Sequence, residues 1–330
     1  MKYSIALTYP SHGKPAEVLS LGSVPLAEAG PETATIRMLA AVIQPSDMGM
    51  ILGKYGKLPS LPAVAGREGV GVVEAVGDKV TGIQPGDWVR MPEEAGVWRH
   101  RVVAPAADLF PIPSDIPLEM AAMAFINPPT AWRILRDAHL NAGDWLIQNG
   151  ANSAVGQFVI QMARHLDLKT INVVRRAELI EPLKALGADA VVLEDSGYEK
   201  KIAEITGGAS VQLGLNSIGG ESASRLIRTL GFKGTLVTFG AMTFEPIRFP
   251  TRELIFNQIQ LTGFWLDRWY RESSRERIQV MQDKIHSLMR SGSIKAPVAD
   301  RFPLSRFREA LAASEQPRLG KILLLPDDEA

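Results

Sequence analysis

A loop of small residues near the middle of the chain is the clearest candidate for chemistry. The apolar segment Asp144–Gln148 is followed by Asn149-Gly150-Ala151-Asn152-Ser153-Ala154-Val155-Gly156, which leads into an amphipathic stretch. Small residues between a strand and a helix let backbone N–H groups approach a pyrophosphate at the positive end of the helix dipole. The usual three-glycine fingerprint is incomplete, because Ala151, Ser153 and Gly156 occupy its positions. The loop predicts dinucleotide binding, with an ordinary strand–helix turn as the alternative.

Two arginines end the next apolar segment, Thr170–Val174. A site specific for NAD carries an acidic residue near this point, whereas an arginine suits the 2′-phosphate of NADP through paired, charge-assisted hydrogen bonds. Arg175 and Arg176 stand here without a carboxylate. The sequence therefore predicts NADPH over NADH, and two solvated side chains at a strand end are the alternative.

Tyr55 is the candidate proton donor in the first third of the chain. Gly53 and Gly56 lie close to it on either side, which gives its loop conformational freedom. A phenol, with an ordinary pKa of about 10, is protonated at neutral pH and can donate a proton or a hydrogen bond to a developing oxyanion. From the sequence alone, a packed residue or part of a substrate wall remains open.

Two kinds of sequence pattern divide the chain into the regions that must position these residues. Up to about residue 120, short β-like runs alternate with Gly- and Pro-rich turns, and this texture returns after Gly292. Between them, strands are predicted at 144–148, 170–174, 190–193, 211–216, 235–239 and 259–264, and helices at 155–166, 179–186, 198–205, 221–230 and 275–290. Alternation of apolar strands with helices indicates a doubly wound parallel sheet. The predicted fold is α/β, with one domain from 1–120 and 294–330 and a dinucleotide-binding domain inserted at 121–293.

Composition excludes several classes of protein. The chain has 330 residues, enough for about two domains, with 36 basic and 36 acidic residues. It therefore has no overall basic charge to attract nucleic acid. No apolar run reaches the roughly 18 residues that span a bilayer, and the first residues do not resemble a signal or transit peptide. A soluble, cytoplasmic protein is expected.

The absence of cysteine limits the possible metal chemistry. Without cysteine, the chain has no disulfides, thiolate zinc sites or iron–sulfur clusters. The two-domain pattern resembles the medium-chain dehydrogenase/reductase superfamily, which joins a GroES-like β domain to an inserted Rossmann domain. Its zinc alcohol dehydrogenases need a Cys ligand and a Gly-His-Glu segment, which here reads Gly66-Arg67-Glu68. The resemblance therefore implies a zinc-independent member.

Several separate motifs, spread from about Ala40 to Leu325, give a closer resemblance. They are Pro45-Ser46-Asp47, Gly53-Lys54-Tyr55-Gly56, Asn127-Pro128-Pro129-Thr130-Ala131, Gln148 to Ser153, Thr170 to Arg175 and Gly263-Phe264-Trp265-Leu266. They resemble the trans-2-enoyl-thioester reductases of mitochondrial fatty-acid synthesis and their bacterial relatives. The resemblance implies reduction by NADPH of the carbon–carbon double bond of an enoyl thioester of CoA or an acyl carrier. Hydride would go to the β-carbon and a proton to the α-carbon.

The resemblance also implies roles for individual residues. Tyr55 matches the proton donor. The matched cofactor-binding positions are Gln44, Asn127, Thr130, Asn152, Ser153, Ala154, Val155, Gly156, Arg175, Arg176, Phe239, Gly240, Ala241, Met242, Phe264, Trp265, Leu266 and Lys321. Three departures stand out: Gln44 in place of Asn, Ala177 in place of a second basic residue, and Phe239 and Ala241 in place of Tyr and Gly. A homodimer is implied, joined through the last Rossmann strand near 259–264.

Two other functions stay open at this point. An NADPH:quinone or 2-alkenal reductase of the same superfamily would need no CoA site. A non-catalytic protein could keep the fold as a binding or regulatory module. The joint presence of Tyr55, the two arginines and the phosphate loop argues against the second of these.

Overall fold

The chain forms two compact units in the computed structural model, which describes residues 2–92, 94–195 and 197–327. The β unit comprises Met1–Ile126 and Ala296–Ala330, and the α/β unit comprises Asn127–Lys295.

The N-terminal part of the β unit consists of strands joined by tight turns and short helices. Its strands are β1 (Tyr3–Tyr9), β2 (Ser20–Pro25), β3 (Thr33–Val42), β4 (Ala63–Val64), β5 (Gly69–Val76), β6 (Trp88–Arg90), β7 (Arg101–Pro105) and β8 (Phe110–Ile112), and its helices are α1 (Pro15–Val18), α2 (Pro45–Ile51) and α3 (Leu118–Ala122). In β3, every second residue from Ala34 to Ala40 is buried. This period of two places one face of the strand on the core.

Glycine allows β5 to lie close against β3. A Cβ on Gly69 would stand 2.6 Å from the carbonyl oxygen of Ala40, and one on Gly71 would stand 2.4 Å from the side chain of Ile36. Only glycine fits such an approach. The strands are antiparallel, with Ala41 opposite Gly69. The residues that follow β3 therefore lie beside those that precede β5.

The α/β unit alternates strands and helices. Its strands are β9 (Trp145–Gln148), β10 (Lys169–Val174), β11 (Ala190–Leu193), β12 (Val211–Asn216), β13 (Leu230–Thr238) and β14 (Gln260–Gly263), and its helices are α4 (Asn127–Asp137), α5 (Ala154–His165), α6 (Ile180–Ala185), α7 (Tyr198–Thr206), α8 (Gly220–Thr229), α9 (Thr251–Phe256), α10 (Leu266–Glu272) and α11 (Arg275–Arg290). The strands pair in the parallel order β11-β10-β9-β12-β13-β14. This is the doubly wound order of a dinucleotide-binding sheet.

The predicted fold class is confirmed. The central strand β9 is buried along its whole length, as expected for a parallel sheet with helices on both faces. The strands predicted at 190–193 and 211–216 are found with those bounds, whereas β13 begins earlier than predicted, at Leu230. No helix in the described part of the chain has the length and apolar character needed to cross a membrane.

The C-terminal segment returns to the β unit with β15 (Val298–Pro303), α12 (Phe307–Glu315) and β16 (Lys321–Leu325). The larger sheet of the unit has the order β15-β16-β3-β5-β6-β8, with β7 also paired to β3. The expectation of β-like pieces throughout this segment is wrong for α12. There Phe307, Ala310 and Leu311 are buried with the spacing of one helix face.

Candidate functional site

The phosphate loop, residues 149–156, joins β9 to α5. The Ser153 hydroxyl caps α5 by accepting the backbone N–H of Gly156 at 3.1 Å. A Cβ on Gly156 would stand 2.6 Å from the carbonyl oxygen of Ala151. The last fingerprint position therefore requires glycine, and the helix starts directly against the loop. This leaves the N-terminal N–H groups of a 12-residue helix facing the end of the sheet, where an anion is favoured.

Buried amide side chains donate hydrogen bonds to backbone carbonyl oxygens of the phosphate loop. Gln148 Nε2 donates to the carbonyl oxygen of Gly156 at 2.9 Å and to Asn172 Oδ1 at 2.7 Å. Gln157 Nε2 donates to the carbonyl oxygen of Asn152 at 2.9 Å. Gln148, Gln157 and Asn172 are all nearly fully buried. Because buried amides keep their geometry when paired, this network holds the loop although two of its fingerprint glycines are missing.

A second amide pair joins the ends of β9 and β12. Asn149 Nδ2 donates to Asn216 Oδ1 at 2.8 Å, and Asn149 Oδ1 accepts the backbone N–H of Ser217 at 2.8 Å. The Ser217 hydroxyl is buried and has no hydrogen-bond partner in the described part of the chain. It lies against Gly150, where a Cβ would stand 2.7 Å from Ser217 Oγ. The sequence placed Asn149 in the phosphate loop but did not indicate Asn216 or Ser217, although polar residues at the carboxyl end of an apolar strand are a recognisable signal of a ligand site.

The loop after β13 lies on Ser217. Phe239 donates its backbone N–H to the carbonyl oxygen of Asn216 at 3.0 Å, and Met242 donates its own to that of Ser217 at 3.1 Å. Gly240 is tightly packed, since a Cβ would stand 2.9 Å from the carbonyl oxygen of Ser217. The predicted cofactor-binding segment Phe239–Met242 thus meets the phosphate loop through Ser217. Ala241 and Met242 are exposed.

The other predicted cofactor residues of the α/β unit lie at the ends of elements. Phe264 follows β14 and donates its N–H to the carbonyl oxygen of Thr238 at 3.0 Å, while Leu266 is buried at the start of α10. The Arg271 guanidinium lies 4.6 Å from the ring centre of Trp265. Asn127 and Thr130 are buried in the first turn of α4. Their contacts with a cofactor stay a prediction.

Arg175 and Arg176 follow β10 but differ in their surroundings. Arg176 Nη1 lies 3.1 Å from Glu178 Oε1 in a partly exposed ion pair. Arg175 is exposed and makes no side-chain hydrogen bond or ion pair with residues 2–92, 94–195 or 197–327. Arg175 is therefore the guanidinium that could bind a phosphate without first releasing a carboxylate.

Tyr55 in the β unit is held by an arginine that sequence reasoning did not select as functional. Arg67 Nη1 donates to the Tyr55 hydroxyl at 3.0 Å, and the guanidinium carbon lies 5.0 Å from the centre of the tyrosine ring. The ring also packs on α2, since a Cβ on Gly49 would stand 3.4 Å from Tyr55 Cδ2. Tyr55 is half-buried and Arg67 is buried.

A buried polar chain lies where β3, β5 and β16 meet. Lys321 Nζ donates to Gln44 Oε1, and Gln44 Nε2 donates to Glu68 Oε2 at 2.5 Å. Glu68 Oε1 accepts the backbone N–H groups of Phe125 and Ile126 at 2.8 and 2.6 Å. Burial raises the pKa of Glu68 and lowers the pKa of Lys321 to about 8. The structure thus brings the predicted cofactor residues Gln44 and Lys321 together, with Glu68 beside them.

Asp47 is the second buried carboxyl group near Tyr55 and Arg67. Its Oδ2 accepts the backbone N–H of Gln44 at 2.7 Å at the start of α2. Burial raises the pKa of Asp47 to about 7, although hydrogen bonds from backbone and the charge of Arg67 act in the opposite direction. A proton is therefore gained or lost at this carboxyl group near neutral pH.

The raised pKa of Asp47 predicts a pH-dependent stability. The folded protein binds this proton more tightly than the unfolded chain, so the contribution of Asp47 to stability falls as pH rises from about 4 to about 7. We expect Asp47→Asn to remove that dependence. Between pH 4 and pH 8, urea unfolding should show the variant gaining about 3–4 kcal/mol relative to wild type. The matched control is Asp78→Asn, at an exposed position. A difference between Asp47→Asn and wild type that is equal at both pH values would contradict the assignment.

Comparison with known proteins gives the family. Residues 30–114 match the alcohol dehydrogenase GroES-like domain and residues 154–283 match the zinc-binding dehydrogenase domain. The mitochondrial enoyl-[acyl-carrier-protein] reductase of Homo sapiens is 43% identical over 94% of this chain and 86% of its own length. The chain belongs to the enoyl-acyl-carrier-protein reductase family. The relative of the same name from Arabidopsis thaliana is 41% identical over 93% of this chain and 84% of its own length.

Solved structures agree with this family and with the superfamily fold. The Etr1p complex with NADP and crotonyl-CoA has a TM-score of 0.90 at 26% identity, covering 98% of this chain and 100% of that chain. The Etr1p/Etr2p heterodimer from Candida tropicalis has a TM-score of 0.90 at 27% identity, with the same coverage. A putative NADPH:quinone reductase from Bacillus thuringiensis has a TM-score of 0.91 at 27% identity, covering 99% and 100% of the two chains. The protein is an oxidoreductase of the enoyl-thioester reductase type.

The predicted cytoplasmic location is wrong. The enoyl-[acyl-carrier-protein] reductases from Homo sapiens and Arabidopsis thaliana are named as mitochondrial. The prediction depended on the first few residues, and the names of these relatives point to mitochondria instead.

The name of one matching domain includes zinc, although this enoyl reductase lacks the Cys and His residues that zinc alcohol dehydrogenases use as ligands. The sequence has no cysteine. In residues 2–92, 94–195 and 197–327, no three His, Asp or Glu side chains form a group that could hold a metal ion. At the Gly-Arg-Glu segment, Arg67 contacts Tyr55 and Glu68 accepts hydrogen bonds from an amide and two backbone N–H groups.

Proposed function

We propose that this enoyl reductase uses NADPH to reduce trans-2-enoyl thioesters, with Tyr55 as the proton donor. The β unit would be the catalytic domain and the α/β unit the NADP-binding domain. The observation that carries the proposal is the half-buried Tyr55 hydroxyl, which accepts a hydrogen bond from Arg67. In the α/β unit of the same chain, β9 is followed by the phosphate loop and β10 is followed by the exposed Arg175. Relatives named for this activity support the substrate class.

The residues at the carboxyl edge of the parallel sheet fit a dinucleotide. The buried Ser217 hydroxyl lacks a partner within the described ranges, and the backbones of Gly150 and Gly240 lie close against Ser217. The N–H groups of Ala154 and Val155 start α5, and these would hold the pyrophosphate. Arg175 would hold the 2′-phosphate. When bound, NADPH supplies the hydride that the β-carbon of the enoyl thioester accepts.

Tyr55 supplies the proton for the second half of the reaction. Because the thioester carbonyl draws electrons from the double bond, hydride addition at the β-carbon would leave a negative charge shared by the carbonyl oxygen and the α-carbon. The Tyr55 O–H donates a hydrogen bond to this charge and then its proton to the α-carbon. The packing of the Tyr55 ring on Gly49 of α2 and the hydrogen bond from Arg67 fix the direction of that transfer.

Cofactor preference gives a direct test of Arg175. We expect Arg175→Ala to raise the KM for NADPH by about ten- to a hundredfold, because a charge-assisted hydrogen bond is worth about 1.5–3 kcal/mol. The KM for NADH should stay nearly constant, since NADH has no 2′-phosphate. Steady-state rates with both cofactors measure this.

The neighbouring arginine serves as the control for Arg175. Arg176 is already paired with Glu178, so Arg176→Ala should raise the KM for NADPH by a smaller factor. Equal changes for NADPH and NADH in Arg175→Ala would contradict the assignment of this residue.

The homodimer expected from the sequence remains a proposal, for which the edge of the parallel sheet offers support. β14 is the edge strand and all four of its residues are exposed. Large exposed apolar side chains lie on and near it, including Ile255, Phe256 and Leu261. An exposed edge with apolar surface favours pairing with a second chain. We propose that two copies join their β14 strands about a two-fold axis.

A charge on β14 tests this dimer. We expect Leu261→Glu to convert a dimer into a monomer in light-scattering measurements, because the two-fold axis brings both copies of the new carboxylate close together. Val280→Glu is the matched control, since Val280 is also apolar and exposed but lies on α11. A wild-type monomer, or a Leu261→Glu dimer as stable as wild type, would contradict the proposal.

Reduction of quinones or free 2-alkenals is the second candidate function. The structural similarity to a putative NADPH:quinone reductase favours it. The deciding experiment compares kcat/KM for crotonyl-CoA, a simple quinone and a free 2-alkenal, each with NADPH. The proposed function predicts the highest value for crotonyl-CoA. A higher value for the quinone would favour the second candidate.

A further inference from the structure

Arg67 occupies an unusual place in the β unit. It immediately precedes Glu68 and β5 and is 9% exposed. Its guanidinium donates a hydrogen bond to the Tyr55 hydroxyl and also lies over the tyrosine ring. A buried guanidinium has a large desolvation cost, and the charge of Arg67 interacts with the buried carboxyl group of Asp47. Such a group is costly to keep in a core solely for packing.

The direction of the hydrogen bond determines what Arg67 can do for Tyr55. A guanidinium has donors and no acceptor, so the Tyr55 oxygen is the acceptor in the 3.0 Å contact. The hydrogen of the phenol is not used in this contact. The same guanidinium N–H would make a stronger hydrogen bond with the oxygen once it carries negative charge.

We propose that Arg67 is the positioning residue that sets the Tyr55 hydroxyl as a proton donor and stabilises the phenolate that proton transfer leaves. This inference rests on the proposed function. In the step, the O–H bond of Tyr55 breaks and a C–H bond forms at the α-carbon from the electron pair that the carbon holds. The phenolate then takes a proton from water, and no oxidant or reductant enters this step.

Other charged groups lie near Tyr55 and Arg67 in the same unit. Asp47 on α2 is buried and faces Arg67. Lys54 and Lys57 belong to the Tyr55 loop, and Lys57 forms an ion pair with Glu94. The Arg67 N–H is in hydrogen-bond contact with the phenol oxygen.

The first measurement follows the ionisation of Tyr55 without substrate or cofactor. The chain has five tyrosines, which can be labelled with ¹³C at Cζ and titrated by NMR, with Tyr55→Phe identifying the signal of Tyr55. We expect Arg67→Gln to move the ionisation of Tyr55 upward by about one pH unit or more, since an opposite charge at this distance has effects of that size. Arg67→Lys, which keeps the charge, should restore part of the shift.

The second measurement separates positioning from mere folding. We expect Arg67→Gln to lower kcat for crotonyl-CoA about tenfold or more, with little change in the KM for NADPH. In a Tyr55→Phe background the same substitution should change kcat less than twofold, since the group it acts on is absent. Arg90→Gln is the control, because Arg90 also lies over aromatic rings in the β unit, at 5.6 Å from Phe110 and 4.7 Å from Phe125.

Loss of folding would not hide the result. Asp47→Asn combined with Arg67→Gln removes the buried cation together with the nearby carboxylate, and thermal unfolding by circular dichroism checks both variants. An unchanged Tyr55 ionisation in folded Arg67→Gln would overturn the inference, even where Tyr55→Phe abolishes activity. Normal kcat in Tyr55→Phe would overturn the proton-donor assignment, whatever the titration shows.

Discussion

Replacing Tyr55 with phenylalanine is expected to lower kcat for crotonyl-CoA by about 10²- to 10⁴-fold, the usual contribution of a positioned general acid. The substitution keeps the ring that packs on Gly49 and removes the oxygen that Arg67 contacts. Proton transfer to the α-carbon then depends on water. Affinity for NADPH, measured by fluorescence titration, should change little because the phosphate loop belongs to the α/β unit.

The matched control removes a phenol oxygen elsewhere in the same unit. Tyr3 is 58% exposed on β1, and Tyr3→Phe should keep normal kcat and stability. Turnover by Tyr55→Phe within about twofold of wild type would remove Tyr55 from the mechanism and leave it as a packed residue.

Glu68→Gln is expected to lower the free energy of unfolding by about 3–5 kcal/mol, as for other buried charges that lose a partner. In the polar chain of the β unit, Lys321 donates to the oxygen of Gln44 and the nitrogen of Gln44 donates to Glu68. An amide at position 68 puts two N–H donors face to face. A flipped Gln44 would instead present its donors to Lys321. Urea unfolding followed by fluorescence measures the loss.

Two further variants test the cause of that loss. Glu74→Gln removes a partly exposed carboxylate paired with Arg37 and Arg101, and should cost less than about 1 kcal/mol. Glu68→Gln combined with Lys321→Met removes both charges and frees Gln44 to turn, so it should recover much of the stability. Equal losses for Glu68→Gln and Glu74→Gln would contradict a dominant role for the buried chain.

The parallel sheet could be predicted well because its signal is local. Strands such as β11 and β12 are short, largely apolar runs separated by amphipathic helices, and each pattern is complete within a few residues. The C-terminal segment was harder, because the nine residues of α12 bury few side chains. With three buried positions, the helical period was hidden among short β-like runs.

The candidate site divides in the same way. The phosphate loop and Tyr55 lie in continuous motifs, so the sequence indicated both. The buried hydrogen bonds of the β unit join Lys321 to Gln44, 277 positions apart, and Gln44 to Glu68, 24 positions apart. The pairing of β3 with β5 and β16 brings these residues together. From the sequence, Arg67 was noted only because it replaces the histidine of the Gly-His-Glu segment. Its contact with Tyr55 depends on how the Tyr55 loop folds.

The most direct test follows the two hydrogens that the reaction adds. Crotonyl-CoA is reduced with NADPH that carries deuterium at the hydride-donating position, and the butyryl product is examined by NMR; a second reaction uses unlabelled NADPH in D₂O. We expect deuterium at C3 in the first product and at C2 in the second. Deuterium missing from C3 in the first reaction, or NADPH oxidation only with quinones, would contradict it.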